Sequence, residues 1–263
     1  CYTQALKIKP DYADTYNNMG AVLQDKGDLE AAIDSYKQAL KIKPDCADAY
    51  NNMGNALKNK GDLDAAIESY KQVLKIKPDY AEAFNNMGVA LKNKGDLDAA
   101  IDSYKQALKI KPDYAGAYYN MGVALMDKND LGAAIDSYKQ ALKIKSDYAE
   151  AHSNLGNILK ELGRLDEAEA SYTQAIALKP DFAEAHNNLG GVLKELIRLD
   201  EAEARYTQAI ALKPDYTEAH YNLGITLQEL GRLDEAEASC RQAIALNPDD
   251  AEAHSNLGGM LQK

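Results

Sequence analysis

Between residues 47 and 80 the apolar positions fall into two runs of helical spacing. Ala49, Tyr50, Met53, Gly54, Ala56 and Leu57 recur at that spacing and so share one face of a first helix. Leu63, Ala66, Ile67, Tyr70, Val73 and Leu74 form the inward face of a second. The Lys-Gly-Asp segment between them has room only for a turn, and Gly61 suits the left-handed backbone that closes a helix. Pro78 ends the second helix because it offers no N–H and clashes with the preceding turn. Asp79, followed three residues later by Glu82, predicts a carboxylate-capped start for the next first helix. Gly54, lacking a side chain on an otherwise apolar face, lets a neighbouring helix approach closely.

This pattern returns every 34 residues. Pro10, Pro44, Pro78, Pro112, Pro180, Pro214 and Pro248 lie on one lattice, with Ser146 at its single vacant point. Gly20, Gly54, Gly88, Gly122, Gly156, Gly190, Gly224 and Gly258 keep the same period. The chain is therefore read as one array with full repeats at 13–46, 47–80, 81–114, 115–148, 149–182, 183–216 and 217–250. A second-helix half-unit at 1–12 and a first-helix half-unit at 251–263 flank them. Repeats up to about residue 148 read KGDLDAAIDSYKQALKIKPD, and later ones LGRLDEAEASYTQAIALKPD. The unit 115–148 is the least regular, with Gly116, Asn129, Gly132 and Ser146 departing from its neighbours; a duplication boundary or a functional site would produce this. Ile197 occupies the turn position that is Gly27, Gly61, Gly95, Gly163 or Gly231 elsewhere, which predicts local strain.

In the unit 47–80, Tyr50, Met53, Gly54, Leu57, Ala66, Tyr70 and Pro78 follow the order large, large, Gly, large, Ala, aromatic, Pro. On these residues the chain resembles the tetratricopeptide-repeat family over its whole length. The stretch AEAHSNLGNILKELGRLDEAEASYTQAI is similar to the repeats of O-linked N-acetylglucosamine transferases and their bacterial relatives, although the sequence contains no glycosyltransferase domain. The resemblance implies an all-α fold: an α-solenoid of stacked antiparallel helix pairs that forms a superhelix with a concave inner surface. It also implies a protein-binding function.

Composition narrows the partners. Hydrophobic residues make up 46% and charged residues 27%, an ordinary globular balance that argues against disorder. The net charge of −11 lacks the basic footprint that nucleic-acid binding needs. Residues 1–148 hold 20 basic and 21 acidic side chains, and residues 149–263 hold 10 and 20, so the negative excess lies in the second half. That half presents either a solvated acidic surface or a preference for a basic partner segment. No apolar run approaches membrane-spanning length, and the first ten residues already fit the repeat, so neither a membrane span nor a signal peptide is expected. Cys1, Cys46 and Cys240 form no metal-like spacing or evident disulfide pair; reduced use in the cytoplasm is the simpler reading.

The search for chemistry is short. His152, His186, His220 and His254 recur one repeat apart, in the slot of Tyr16, Tyr50, Phe84 and Tyr118. Zinc ligands must sit about 2 Å from one ion. Equivalent residues of stacked helices are about 8–10 Å apart, so the imidazoles are expected to pack rather than bind metal. If they are buried and neutral, they make the second half acid-sensitive. No nucleophile elbow or phosphate-binding glycine loop is present. An enzyme is not expected, nor a cofactor.

Removing the apolar face of the first helix leaves positions 2, 5, 6, 9, 12 and 13 of each unit, counting Ala13 as position 1, as a polar stripe. By resemblance this stripe lines the concave groove. Position 6 is always asparagine: Asn18, Asn52, Asn86, Asn120, Asn154, Asn188, Asn222 and Asn256. Asparagine is about 0.6 kcal/mol worse than alanine in a helix interior, but its amide matches the N–H and C=O of a peptide unit. The transferases share such a ladder, which implies recognition of an extended partner backbone. The competing reading is that each asparagine bonds a neighbouring helix or was copied by duplication.

Seventeen of the 19 aromatic residues sit at positions 4, 24 and 34; Tyr119 and Tyr221 alone occupy position 5. Tyr119 with Val123 and Met126, and Tyr221 with Ile225, form two apolar patches that would anchor partner side chains or pack on the adjacent repeat. A basic clamp for a terminal carboxylate is not expected, because position 5 carries Asn, Ser or Tyr and position 2 mostly acids. The chain is thus expected to bind an extended protein segment in its groove. The alternatives are the substrate-recruiting region of a larger enzyme, and a scaffold self-associating through open repeat ends.

Overall fold

The structure is a computed structural model and describes residues 12–249 and 251–260. The helix expected within 1–12 falls outside the described residues, as do Cys1 and the last three positions of the final half-unit. Fifteen helices and no strand occur among the described residues. The chain divides into two compact units, 1–144 and 145–263. In the first, α1 (Ala13–Asp25) pairs with α2 (Leu29–Ile42), α3 (Ala47–Lys60) with α4 (Leu63–Ile76), α5 (Ala81–Lys94) with α6 (Leu97–Ile110), and α7 (Ala115–Asp127) with α8 (Leu131–Ile144). In the second, α9 (Ala149–Glu161) pairs with α10 (Leu165–Leu178), α11 (Ala183–Glu195) with α12 (Leu199–Leu212), and α13 (Thr217–Glu229) with α14 (Leu233–Leu246), followed by α15 (Ala251–Met260). Within each unit, successive helices pack against one another as an α-solenoid.

The repeated apolar positions form a repeated core. Ala32, Ile33 and Tyr36 of α2 are buried against Leu23 of α1 and against Met53, Ala56 and Leu57 of α3. One repeat on, Ala66, Ile67 and Tyr70 meet Leu57, Met87, Ala90 and Leu91. Burying an isoleucine- or leucine-sized side chain stabilises by about 1.5–3 kcal/mol, so each second helix is held mainly by its two neighbours rather than by its own propensity. The glycine of the first helix explains how the pair closes. A methyl group on Gly54 would lie 2.6 Å from Tyr70 Cε1, and one on Gly190 would lie 2.7 Å from Tyr206 Cε1. The tyrosine ring rests directly on glycine backbone. In the last pair Cys240 replaces the tyrosine, and its Sγ would lie 2.5 Å from a methyl on Gly224.

The turns follow hydrogen-bond geometry. Gly61 has φ 91°, its N–H donates to Lys58 O at 3.0 Å, and the N–H of Asp62 donates to Leu57 O at 2.9 Å. That pattern satisfies the last carbonyls of α3. Among the described residues, two other than glycine adopt the same left-handed turn, Asn129 at φ 64° and Ile197 at φ 60°. The strain expected at Ile197 is therefore present, and its side chain is 82% exposed, so it gains little by packing.

The expected carboxylate cap at Asp79 is corrected. α5 starts at Ala81 with Tyr80 as its N-cap and no side-chain bond to the helix. The tyrosine is placed there by contacts: Lys77 Nζ lies 4.5 Å from its ring centroid, and its hydroxyl donates to Asp48 at 3.4 Å. Carboxylate capping belongs to the second helices of the first unit, where Asp28, Asp62, Asp96 and Asp130 each accept a backbone N–H at 3.2 Å.

Candidate functional site

The polar stripe of the first helices holds together through its asparagines. In the first unit the Nδ2 of Asn52 donates to Asn17 Oδ1 at 3.2 Å, that of Asn86 to Asn51 at 3.2 Å, and that of Asn120 to Asn85 at 2.9 Å. In the second unit Asn222 donates to Asn187 at 3.1 Å. Position 6 of one repeat thus reaches back to position 5 of the repeat before. Two departures keep the bond by other means. Position 5 is Ser153 before Asn188, which turns instead to Asn157 Oδ1 at 3.0 Å. Position 5 is Tyr221 before Asn256, which donates to the tyrosine hydroxyl.

The acceptors Asn51, Asn85 and Asn187 are buried, the last to 2% exposure, Asn17 is half-buried, and the donors at position 6 are half-buried, apart from the exposed Asn18. Each donor spends one N–H on its neighbour and keeps a second N–H, and an asparagine amide also carries an acceptor oxygen. Sequence reasoning singled out the donors but not the acceptors Asn17, Asn51, Asn85 and Asn187. The signal was present in the run of two asparagines at positions 5 and 6.

The two apolar patches are placed separately, one in each unit. Tyr119, Val123 and Met126 are half-buried along α7, and the Tyr119 ring packs on Tyr138 with centroids 5.9 Å apart and planes tilted by 51°. Tyr221 and Ile225 are half-buried on α13.

Each histidine sits at 3.0–3.2 Å from a carbonyl of the preceding turn: His152 from Ser146, His186 from Pro180, His220 from Pro214 and His254 from Pro248. A neutral imidazole donates its Nε2 proton there. Only His186 is buried, at 4% exposure, and burial holds its pKa below the ordinary histidine value, with the Arg205 charge adding to the effect. No group of metal-ligating side chains gathers among the described residues. No described helix is long and apolar enough to cross a membrane.

Lysines run along the same stripe. Lys92 lies 3.6 Å from Asp127, Lys160 3.6 Å from Glu195 and Lys194 3.4 Å from Glu229, each pairing position 12 with position 13 of the next repeat. In the second unit the stripe opens into a cavity of about 400 Å³ lined by Gly191, Tyr206, Lys160, Lys194, Asn222 and Glu218 among others. Sequence reasoning did not single out this cavity. Its signal is a glycine at position 9 where the preceding unit has Asn157.

The comparisons with known proteins agree with this architecture. A family model described as TPR repeat matches residues 1–27, 22–61, 54–95, 92–128, 122–163 and 156–196, and one described as Tetratricopeptide repeat matches 196–258. No curated protein matches the sequence. Among solved structures, MamA is 31% identical with a TM-score of 0.58, over 62% of this chain and 95% of that one. YrrB, described as a TPR protein with an unusual peptide-binding site, is 24% identical with a TM-score of 0.63, over 72% of this chain and 98% of its own. A chain of the APC/C hetero-tetramer Cut9–Hcn1 is 17% identical with a TM-score of 0.72, over 99% of this chain and 51% of that one. The last two likenesses speak to the fold alone. With repeat models matching from residue 1 to residue 258 and a helix pair behind each full repeat, the chain belongs to the tetratricopeptide-repeat family.

Proposed function

We propose that this protein binds an extended segment of a partner protein along the stripe of its first helices, where position-6 asparagines pair with partner backbone. Protein–protein interaction is the general role of the family. The finer reading rests on one observation: the asparagine amides are half-exposed yet already oriented by a bond to the repeat before. A donor held in place loses little entropy when a ligand arrives. Repeats about 8–10 Å apart would meet an extended chain at roughly every third residue, at about 3.3–3.6 Å per residue. The Tyr119 and Tyr221 patches add side-chain preference. The likeness to transferase repeats favours the related reading that the array recruits substrates for a larger enzyme, and both readings share the same groove.

The same ladder bonds allow a clean test. Asn86→Ala with Asn120→Ala removes two ladder bonds and two groove amides. Asn51→Ala with Asn85→Ala removes the same two bonds but keeps the groove amides. For peptides selected from a displayed library against the intact chain, the first double variant is expected to bind one to two decades more weakly, at about 0.5–1.5 kcal/mol per lost bond. The second keeps the groove amides but frees them from their orienting bonds, so it should lose clearly less affinity than the first, while both melt at lower temperature. Equal losses in the two would mean that the asparagines serve only the stacking of repeats.

A further inference from the structure

We propose that the cavity over Gly191 is a subsite for the guanidinium of an arginine side chain carried by the bound segment. The inference rests on the groove reading above and gives that groove a chemical preference. Two substitutions in the repeat pattern create the cavity. The first is Gly191 at position 9. In the preceding repeat Asn157 fills that place, and its Oδ1 takes the hydroxyl of Tyr172 at 2.7 Å and the amide of Asn188 at 3.0 Å. With glycine there, Lys160 Nζ moves in, 2.8 Å from where a methyl group would stand. Tyr206, the counterpart of Tyr172, is 1% exposed, lines the cavity, and has no hydrogen-bond partner for its hydroxyl among the described residues.

The second substitution lies 56 residues further on, at Asn247. In three other repeats the position-2 acid faces a lysine at position 31: Glu82 with Lys111 at 3.8 Å, Glu150 with Lys179 at 3.6 Å, and Glu184 with Lys213 at 3.7 Å. Glu218 would look to residue 247, which is asparagine. Its carboxylate instead accepts from Asn187 Nδ2 at 3.1 Å and borders the cavity with no cation against it.

Charge decides the ligand. Lys160 and Lys194 are matched by Glu195 and Glu229, whereas Glu218 is unmatched, so the lining holds one carboxylate more than it holds ammonium groups. Burial first, and then the carboxylates of Glu218, Glu195 and Glu229, push the ionisation of the Tyr206 hydroxyl upward, so the cavity floor lies in a negative field. An incoming anion would meet three carboxylates. A guanidinium brings five N–H donors to an unpaired carboxylate and an unpartnered hydroxyl, and its planar fork suits both at once.

The test uses the full chain and four capped pentapeptides of alanine with Arg, Lys, Glu or Ala at the centre. Binding is followed by shifts of the Gly191 amide and by titration. The arginine peptide is expected to bind about tenfold or more tightly than the alanine peptide, as a charge-assisted bond should provide, with lysine between them. Glu218→Gln and Gly191→Asn should each erase that preference, read as the ratio of arginine-peptide to alanine-peptide affinity within the same variant. The asparagine variant restores a residue natural to this position, so the fold is kept. Equal binding of the arginine and alanine peptides, tighter binding of the glutamate peptide, or an arginine preference that survives both variants overturns the proposal. Affinity for the alanine peptide reports on the groove alone, so failure of the subsite is distinguishable from failure of the groove.

Discussion

At Ile197 a β-branched side chain takes φ 60°, a conformation filled by glycine in five other turns. The left-handed region costs an L-residue about 1–2 kcal/mol, and the extra backbone freedom of glycine costs about 0.5–1 kcal/mol. With the side chain 82% exposed, little packing is lost, so Ile197→Gly is expected to stabilise by up to about 1 kcal/mol in urea unfolding. A clear loss would show that Ile197 makes a contact worth more than the strain. His186 sets a second residue-scale expectation. Its folded pKa lies below the unfolded value of about 6.5, so the neutral form is favoured by folding. The stability it contributes is full above pH about 6.5 and is lost as pH falls through the folded value. Replacing it by tyrosine, the residue natural to this slot at Tyr50, should flatten stability against pH below about 6.5; an unchanged profile would contradict the assignment.

At the scale of helices the two dialects start their second helices differently. In the first unit an aspartate caps the helix, and Asp62→Ala should lower stability by about 1 kcal/mol, read by melting, while Asp62→Asn should retain most of it. In the second unit Arg164, Arg198 and Arg232 occupy the same place and bond no helix N–H with their side chains. Their guanidinium groups fork onto glutamates instead. Arg198 holds Glu201 at 2.7 Å in its own helix and Glu169 at 2.7 Å in the repeat before. The second unit thus gives up the local cap and makes its bridge between repeats through arginine. Lysines bridge the first unit in a comparable way, Lys60 to Glu30 at 2.9 Å and Lys94 to Asp64. The sequence made the helices, the Gly61 turn and the glycine–tyrosine closure legible, because each follows from local spacing or backbone chemistry. It did not reveal that the N-cap of α5 falls one residue past Asp79, on Tyr80, since an aromatic packed under Lys77 outweighed a plausible cap. It also left the direction of the asparagine side chains open, because only neighbouring helices determine whether an amide at position 6 reaches back.

Over the whole chain charge is the coarse variable. Residues 149–263 carry 10 basic and 20 acidic side chains, against 20 and 21 before them, so self-repulsion is concentrated in the second unit. Salt at about 0.5 M shrinks the screening length well below 10 Å. It should therefore raise hydrogen-exchange protection in α9–α14 more than in α1–α8. A uniform response would show that the Arg–Glu bridges, weakened by the same salt, offset the relief. The cavity at Gly191 was legible only as two departures from the period, Gly191 and Asn247, whose common consequence required knowing that Glu218 turns towards Asn187. The asparagine ladder carries a last consequence, for recombination. Its bonds have a direction, with every donor in the later repeat and every acceptor in the earlier one. Modules cut from this chain are therefore not freely interchangeable: a splice is compatible when the upstream piece offers an oxygen at position 5 or 9 and the downstream piece brings asparagine at position 6. The pair Ser153 and Asn157 already obeys that grammar, having passed the acceptor role one turn along the helix.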